Sequence, residues 1–185
     1  PWATYSVVFA HFILLDLDLF TAGRVLNALL YALLAVSFVA VACELVRNAD
    51  PKRRSAILFL AAVTVLLYPQ LNEYRSMLIR DVGYWAFMLL GLQQLIVAVR
   101  MPPRSSQFWF RLLAFFVALL FAFAFRAEAL GYLILTPLLF CCVRDNKDKR
   151  RVGDALRVAL VLGALGILAL AACLAAGVDI LSLLG

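Results

Sequence analysis

Four charged residues are crowded into the short stretch 71–84, LNEYRSMLIRDVGY, which lies between two apolar segments. They are Glu73, Arg75, Arg80 and Asp81. Placing ionisable side chains at a membrane boundary costs free energy, so such residues usually have an ionic partner or a function. A guanidinium can donate two parallel hydrogen bonds to a phosphate, and a carboxylate can accept a proton. The stretch is therefore a candidate site for a charged substrate.

A second cluster, Arg126 and Glu128, interrupts an otherwise apolar run between residues 112 and 143. Burial of these two charges without partners would cost on the order of several kcal/mol. An ion pair with Asp81 or Glu73 across a helix bundle would reduce that cost, and so would a substrate phosphate. The alternative interpretation is a polar turn between two helices. We expect both clusters to lie on the same side of the membrane.

Other polar residues have structural interpretations beside the functional ones. Asp81 could instead cap a helix that begins at residue 82, while Arg80 reaches toward lipid headgroups. Glu73 is a weak candidate for a base or a metal ligand, because no histidine is near it. Asp16 and Asp18 could bind a divalent cation or could simply end an apolar segment. The sequence leaves the cofactor open, with a divalent cation as one possibility, and assigns no metal ligand.

The composition is that of a membrane protein. Of the 185 residues, 66% are hydrophobic and 15% are charged, and the mean hydropathy is +1.00; soluble domains are roughly a quarter charged. The net charge of +6 comes from short basic tracts between apolar segments, which argues against a nucleic-acid surface. We predict an all-α, polytopic transmembrane helix bundle, with residues 1–185 forming one domain of about five to seven membrane segments. Because the chain begins with Pro1 and no signal peptide is evident, we expect it to be part of a longer protein.

A spanning helix needs about 20 mostly apolar residues. The predicted membrane segments are 1–15, 21–46, 56–68, 82–99, 108–125, 129–143 and 156–177, of which 1–15, 56–68 and 129–143 are short. The polar links 47–55, 100–107 and 144–154 separate them. The many phenylalanines of 108–125 are expected to face lipid or, as the alternative, to line a groove for a lipid tail. The four cysteines lie in apolar runs without CxxC spacing and are expected to be small core residues.

Basic residues are distributed unequally between alternate links. One side receives Arg47, Lys52, Arg53, Arg54, Arg100, Arg104, Arg144, Lys147, Lys149, Arg150 and Arg151, and the other receives Arg24, Arg75, Arg80 and Arg126. The positive-inside rule makes the first side cytoplasmic. The sequence thus predicts a multi-pass protein of the bacterial inner membrane, with both charged clusters at its outer face.

Three sequence features resemble a known family. TAGRVLNALLYAL at 21–33, a helix that ends in Tyr68-Pro69, and FRAEALGYLILTPL at 125–138 are similar to the central part of GT-C class membrane glycosyltransferases, bacterial family 39 type. The matching positions are Arg24, Asn27, Pro69, Arg126 and Glu128. Two positions depart from the family pattern, since Ile79-Arg80-Asp81 stands where many members have Ser-Glu-Pro, and Ala127 replaces the usual proline.

The resemblance implies transfer of a sugar from a polyprenyl-phosphate donor to a glycan or lipid acceptor at the outer face of the membrane. It implies that the catalytic base is a carboxylate located before Pro1. In this interpretation Arg80, Arg126 and Arg75 hold the donor phosphate, Glu128 and Arg24 support them, and Asp81 and Glu73 are weak candidates for the base. The alternatives are a polysaccharide polymerase and a non-catalytic transporter or flippase subunit, although no convincing internal repeat is present.

Overall fold

The computed structural model describes residues 18–69, 80–102, 105–132, 135–136 and 150–175, and every regular element in these ranges is helical. The helices are α1 (Leu19–Leu45), α2 (Pro51–Leu67), α3 (Arg80–Val99), α4 (Ser106–Phe125) and α5 (Arg150–Ala175), with a 3-10 helix (Ala127–Leu130) following α4. The predicted all-α fold is confirmed.

Three of the described helices are long and apolar enough to cross a membrane. They are Phe20–Leu45, Asp81–Val99 and Ser106–Phe125, with mean hydropathies of 2.3, 1.7 and 2.3. They correspond to three of the predicted spans, and they identify the chain as a membrane protein. Helix α2 has 17 residues, and its first turn is polar. The predicted segment 1–15, most of the predicted segment 129–143 and the residue Asp16 lie outside the described ranges.

The prediction for the last polar link was wrong at its C-terminal end. Residues 144–154 were expected to form a connection, but α5 begins at Arg150. Arginine and alanine are good helix formers, and one interior glycine costs only about 1 kcal/mol, so Gly153 does not stop the helix. The change from polar to apolar residues therefore does not mark the beginning of this helix.

Asp18 is the N-cap of α1. Its Oδ2 accepts a hydrogen bond from the Thr21 amide at 3.1 Å, which satisfies one of the four amides left without a partner in the first turn. Hydrogen bonds from the Thr21 side chain and backbone lower the pKa of Asp18, so its carboxylate stays ionised. The structure therefore gives Asp18 a capping role. Helices α2 and α4 begin in the same way, with caps from Asp50 and Ser105.

Helix α3 is central because it packs extensively against both α1 and α4. Helix α2 packs on α1, and the α5 residues Val158 and Leu162 join the core formed by α3 and α4. Four phenylalanines of α4 are buried, Phe108, Phe115 and Phe116 in that core and Phe125 in a second cluster with residues of α1 and α3, while Phe110 and Phe121 are exposed. The expectation that the aromatic residues of α4 face lipid was therefore wrong for those four. Helix α4 uses them to pack against its neighbours.

The C-terminal end of α2 depends on a side chain from α1. Tyr68 has an extended ψ of 115°, as is common for a residue before proline. Pro69 has no N–H, so it cannot donate to the carbonyl of Val65, four residues earlier. The Tyr31 hydroxyl of α1 donates to that carbonyl at 3.0 Å. This hydrogen bond thus gives the Val65 carbonyl a donor and also joins α1 to α2.

We expect Tyr31→Phe to lower the free energy of unfolding by about 1 kcal/mol, because the buried Val65 carbonyl loses its donor. Unfolding in mixed micelles, followed by circular dichroism, measures the change. The double variant Tyr31→Phe/Pro69→Ala should recover part of the loss, since an alanine amide can donate to Val65. Equal stability of Tyr31→Phe and the wild type would contradict the assignment.

Candidate functional site

Two ion pairs between helices mark the two ends of the bundle. At one end, here called the Arg126 end, Nη1 of Arg126 lies 3.2 Å from Oδ1 of Asp81 on α3. At the other, the Arg100 end, Nη1 of Arg100 lies 3.1 Å from Oε2 of Glu44 on α1. The prediction that Asp81 shares one side of the bundle with Arg126 and Glu128 is confirmed.

The backbone places Arg126 at this end by stopping α4 abruptly. Arg126 is extended, with φ −149° and ψ 130°, and its N–H donates to the Ala122 carbonyl at 2.9 Å. The chain then turns at once into the 3-10 helix, where the Ala129 amide donates to the Arg126 carbonyl at 3.3 Å. This turn brings Glu128 back beside Arg126. The polar turn expected as the alternative interpretation is therefore present, and it also builds the cluster.

The Arg126 guanidinium is held between two carboxylates. Its Nε and Nη2 donate to the two oxygens of Glu128, both at 3.2 Å, and its Nη1 donates to Asp81. These contacts use three of the five N–H bonds that a guanidinium offers. The hydrogen bond with Glu128 is the largest of the effects that raise the pKa of Arg126, so the guanidinium stays charged.

An aromatic ring completes the cluster. The centroid of the buried Tyr84 ring lies 5.6 Å from the Arg126 Cζ, which is within range of a cation–π contact. Tyr84 in turn contacts Trp85 edge to face, with centroids 5.2 Å apart. Tyr84 was not among the site residues predicted from the sequence. Its position three residues after Asp81, on the same face of α3, is the signal that could have identified it.

The cluster remains accessible to water. The side chains of Arg126, Asp81 and Glu128 are 32%, 39% and 63% exposed. Ion pairs at this level of exposure stabilise a protein by only about 0–1 kcal/mol, because water screens them. Glu128 is the most exposed of the three side chains, so water reaches its carboxylate although both of its oxygens contact the guanidinium.

A close helix contact sets the position of the cluster. A Cβ built on Gly83 would lie 2.5 Å from the Phe125 ring, so only glycine lets that ring rest against α3. Phe125 immediately precedes Arg126, and Phe87 stacks on the same ring with centroids 5.9 Å apart. Gly83 thus fixes where α4 ends relative to Asp81. Sequence reasoning missed it, because an isolated glycine in a helix does not reveal which neighbour approaches it.

The other predicted site residues are placed less completely. Arg80 is the first residue of α3, while Glu73 and Arg75 lie outside the described ranges. Arg24 is exposed on α1, and Asn27, three residues further on, is buried. Asp81 lies in the first turn of α3 and not at its N-cap. Within the described ranges, no group of three potential metal ligands comes together.

The Arg100 end has an interaction that the sequence analysis did not predict. Besides its ion pair with Glu44, Arg100 donates through Nη2 to the Glu44 carbonyl at 2.9 Å, in the last turn of α1. Nearby, Cys43 is half-buried and accepts a hydrogen bond from Arg54, with 3.1 Å between nitrogen and sulfur. The Arg54 contact joins α2 to α1 across the turn between them, whereas the Arg100 contact joins the end of α3 to the end of α1. Assigning the links 47–55 and 100–107 to one side of the membrane could have suggested the Arg100–Glu44 contact.

No protein-family model, curated protein or solved structure matches the chain. The similarity to GT-C glycosyltransferases therefore stays a prediction made from the sequence motifs. The geometry described above establishes a membrane helix bundle with a water-accessible guanidinium, held by two carboxylates, at one end.

Proposed function

We propose that the chain is part of an integral-membrane glycosyltransferase that moves a sugar from a polyprenyl-phosphate donor to a glycan or lipid acceptor. The observation that supports it best is the Arg126 guanidinium, which is accessible at the end of a membrane bundle. The motif resemblance around Arg126 and Glu128 supports the same interpretation. In this proposal the Arg126 end faces outward from the bacterial inner membrane, because basic residues are concentrated in the links at the opposite end.

Binding of the donor requires a change of partner at Arg126. Two carboxylates already surround one guanidinium, so a phosphate added to the intact cluster would be repelled. The proposed step is displacement of Glu128, the most exposed of the three side chains. The oxygens of a phosphate fit the same pair of N–H groups that now holds the Glu128 carboxylate. Arg80 and Arg75 would add positive charge.

Sugar transfer at this site would then depend on stabilisation of the negative charge on the leaving phosphate. The bond between the anomeric carbon and the phosphate oxygen breaks, and polyprenyl phosphate leaves with the electron pair. Arg126 stabilises the negative charge that develops on that phosphate. The acceptor oxygen forms the new bond to the anomeric carbon and gives its proton to a carboxylate. Asp81 is the candidate for this carboxylate among the described residues, although the resemblance implies a carboxylate before Pro1.

Binding of a polyprenyl phosphate and of the corresponding polyprenol to the purified chain tests the proposal. We expect the wild type to bind the phosphate form more tightly, and Arg126→Ala to lose about a factor of ten of that preference. Arg100→Ala is a matched control, because Arg100 also pairs with a carboxylate on another helix and is similarly exposed, at 39%. It should keep most of the preference. Equal losses in both variants, or no preference in the wild type, would refute phosphate binding at Arg126.

A further inference from the structure

Arg111 is a charged residue inside a membrane-spanning helix, and it lies apart from the Arg126 cluster. It is five residues beyond the start of α4, or about 7–8 Å along the helix axis. Its side chain is half-buried, and within the described ranges no carboxylate forms an ion pair with it. A charge within a membrane span is costly unless something compensates it.

The partner that the structure gives Arg111 is neutral. Its Nη1 donates to Oε1 of Gln94 on α3 at 2.8 Å. The amide nitrogen of Gln94 donates in turn to Oε1 of Gln93 at 2.6 Å. The two glutamines therefore fix the orientation of the guanidinium without neutralising it. Because one bond goes to Gln94, most of the N–H donors of Arg111 are left for a second partner.

A groove opens beside this guanidinium. It has a volume of about 450 Å³ and is lined by Ser106, Gln107, Phe110 and Arg111. Ser106 and Gln107 are exposed and add polar groups, while the Phe110 side chain is 67% exposed on the membrane-spanning surface. The groove thus combines a cation, two polar side chains and an apolar surface. An amphiphile with an anionic head matches this combination.

We propose that this groove binds the phosphate of an anionic phospholipid in the leaflet at the Arg100 end. A lipid fits better than a soluble anion, because Arg111 lies within the span and Phe110 offers contact to an acyl chain. An anionic lipid fits better than a zwitterionic one, since a zwitterionic headgroup carries its own cation. The basic residues Lys52, Arg53, Arg54 and Arg100 at this end would favour the same lipids electrostatically. The proposal does not depend on glycosyl transfer.

The test measures binding of labelled phosphatidylglycerol and phosphatidylcholine to the detergent-solubilised chain. We expect the wild type to prefer phosphatidylglycerol, and Arg111→Gln to weaken that preference about tenfold. Glutamine keeps an amide that can donate to Gln94, so thermal unfolding in phosphatidylcholine alone should change little. Arg53→Gln removes one positive charge from the same end, on α2 and outside the groove, and should weaken the preference clearly less than Arg111→Gln does.

Two results would overturn the proposal. One is an unchanged phosphatidylglycerol preference in Arg111→Gln, which would show that the residue only joins α3 to α4. The other is competition by inorganic phosphate at the concentrations at which the lipid binds, which would identify a site for soluble anions. Arg111→Lys, which keeps the charge, should retain more of the preference than Arg111→Gln. Equal loss in both would also count against a role for the charge.

Discussion

Gly83→Ala is expected to destabilise the bundle by about 1–3 kcal/mol and to separate Arg126 from Asp81. The new methyl group would lie 2.5 Å from the Phe125 ring, which is much closer than van der Waals contact. The ring cannot move away freely, because it is buried and stacked on Phe87. The end of α4 would therefore shift away from α3, and Arg126, the next residue, would move with it.

Gly91→Ala is the matched control for this change. Gly91 lies two turns further along α3 and also faces α4, but a Cβ there would lie 3.4 Å from the Phe115 ring, an ordinary contact. The free energy of unfolding of Gly91→Ala should stay near that of the wild type or rise slightly, because alanine favours a helix more than glycine does. Unfolding in mixed micelles measures the free energy of unfolding of both variants. If Gly83→Ala and Gly91→Ala behave alike, the close approach at Gly83 does not position α4.

Arg126→Lys is expected to reduce sugar transfer about a hundredfold, nearly as far as Arg126→Ala, if the proposed function is correct. Lysine keeps the positive charge but lacks the planar pair of N–H groups that contacts both oxygens of Glu128. The same geometry would be needed for two phosphate oxygens. A single ammonium would also hold Asp81 and Glu128 less firmly. The variant therefore separates the effect of geometry from the effect of charge.

Transfer of a labelled sugar by membranes that contain the variant measures this effect. Arg100→Lys, at the opposite end, is expected to keep most of the activity, since it alters a comparable ion pair far from the site. Protein amount and membrane insertion must be equal in all samples. Near-normal transfer by Arg126→Lys would show that charge alone is sufficient at this position, and the proposed two-point phosphate contact would be wrong.

Three of the predicted spans and the approach of Asp81 to Arg126 could be predicted from the sequence. Hydropathy over about 20 residues identifies a spanning helix. An ion pair with Asp81 was one of the expected ways to stabilise the charge of Arg126. The capping role of Asp18 also follows from local chemistry, although the sequence was interpreted only as a cation site or as a polar end to an apolar segment. These features depend on residues close together in the chain, or on the cost of burying charge.

The geometry of the site could not be predicted in the same way. The contact with both oxygens of Glu128 requires the extended conformation of Arg126, which depends on how α4 stops against α3. The contact of Phe125 with Gly83 and the position of Tyr84 under Arg126 arise from packing between helices that are distant in sequence. Hydrophobic patterning indicates that the apolar faces of these helices pack together, but it does not show which residues come into contact.

The shortness of α2 has a consequence for the surrounding lipid. Its 17 residues extend about 25 Å, whereas the hydrocarbon core of a bilayer is about 30 Å thick. In the predicted topology α2 spans the bilayer with Lys52 and Arg53 among the headgroups, so the shortfall would arise at Tyr68, toward the Arg126 end. A bilayer adapts to such hydrophobic mismatch by thinning locally. In that topology the membrane surface should dip beside Tyr68.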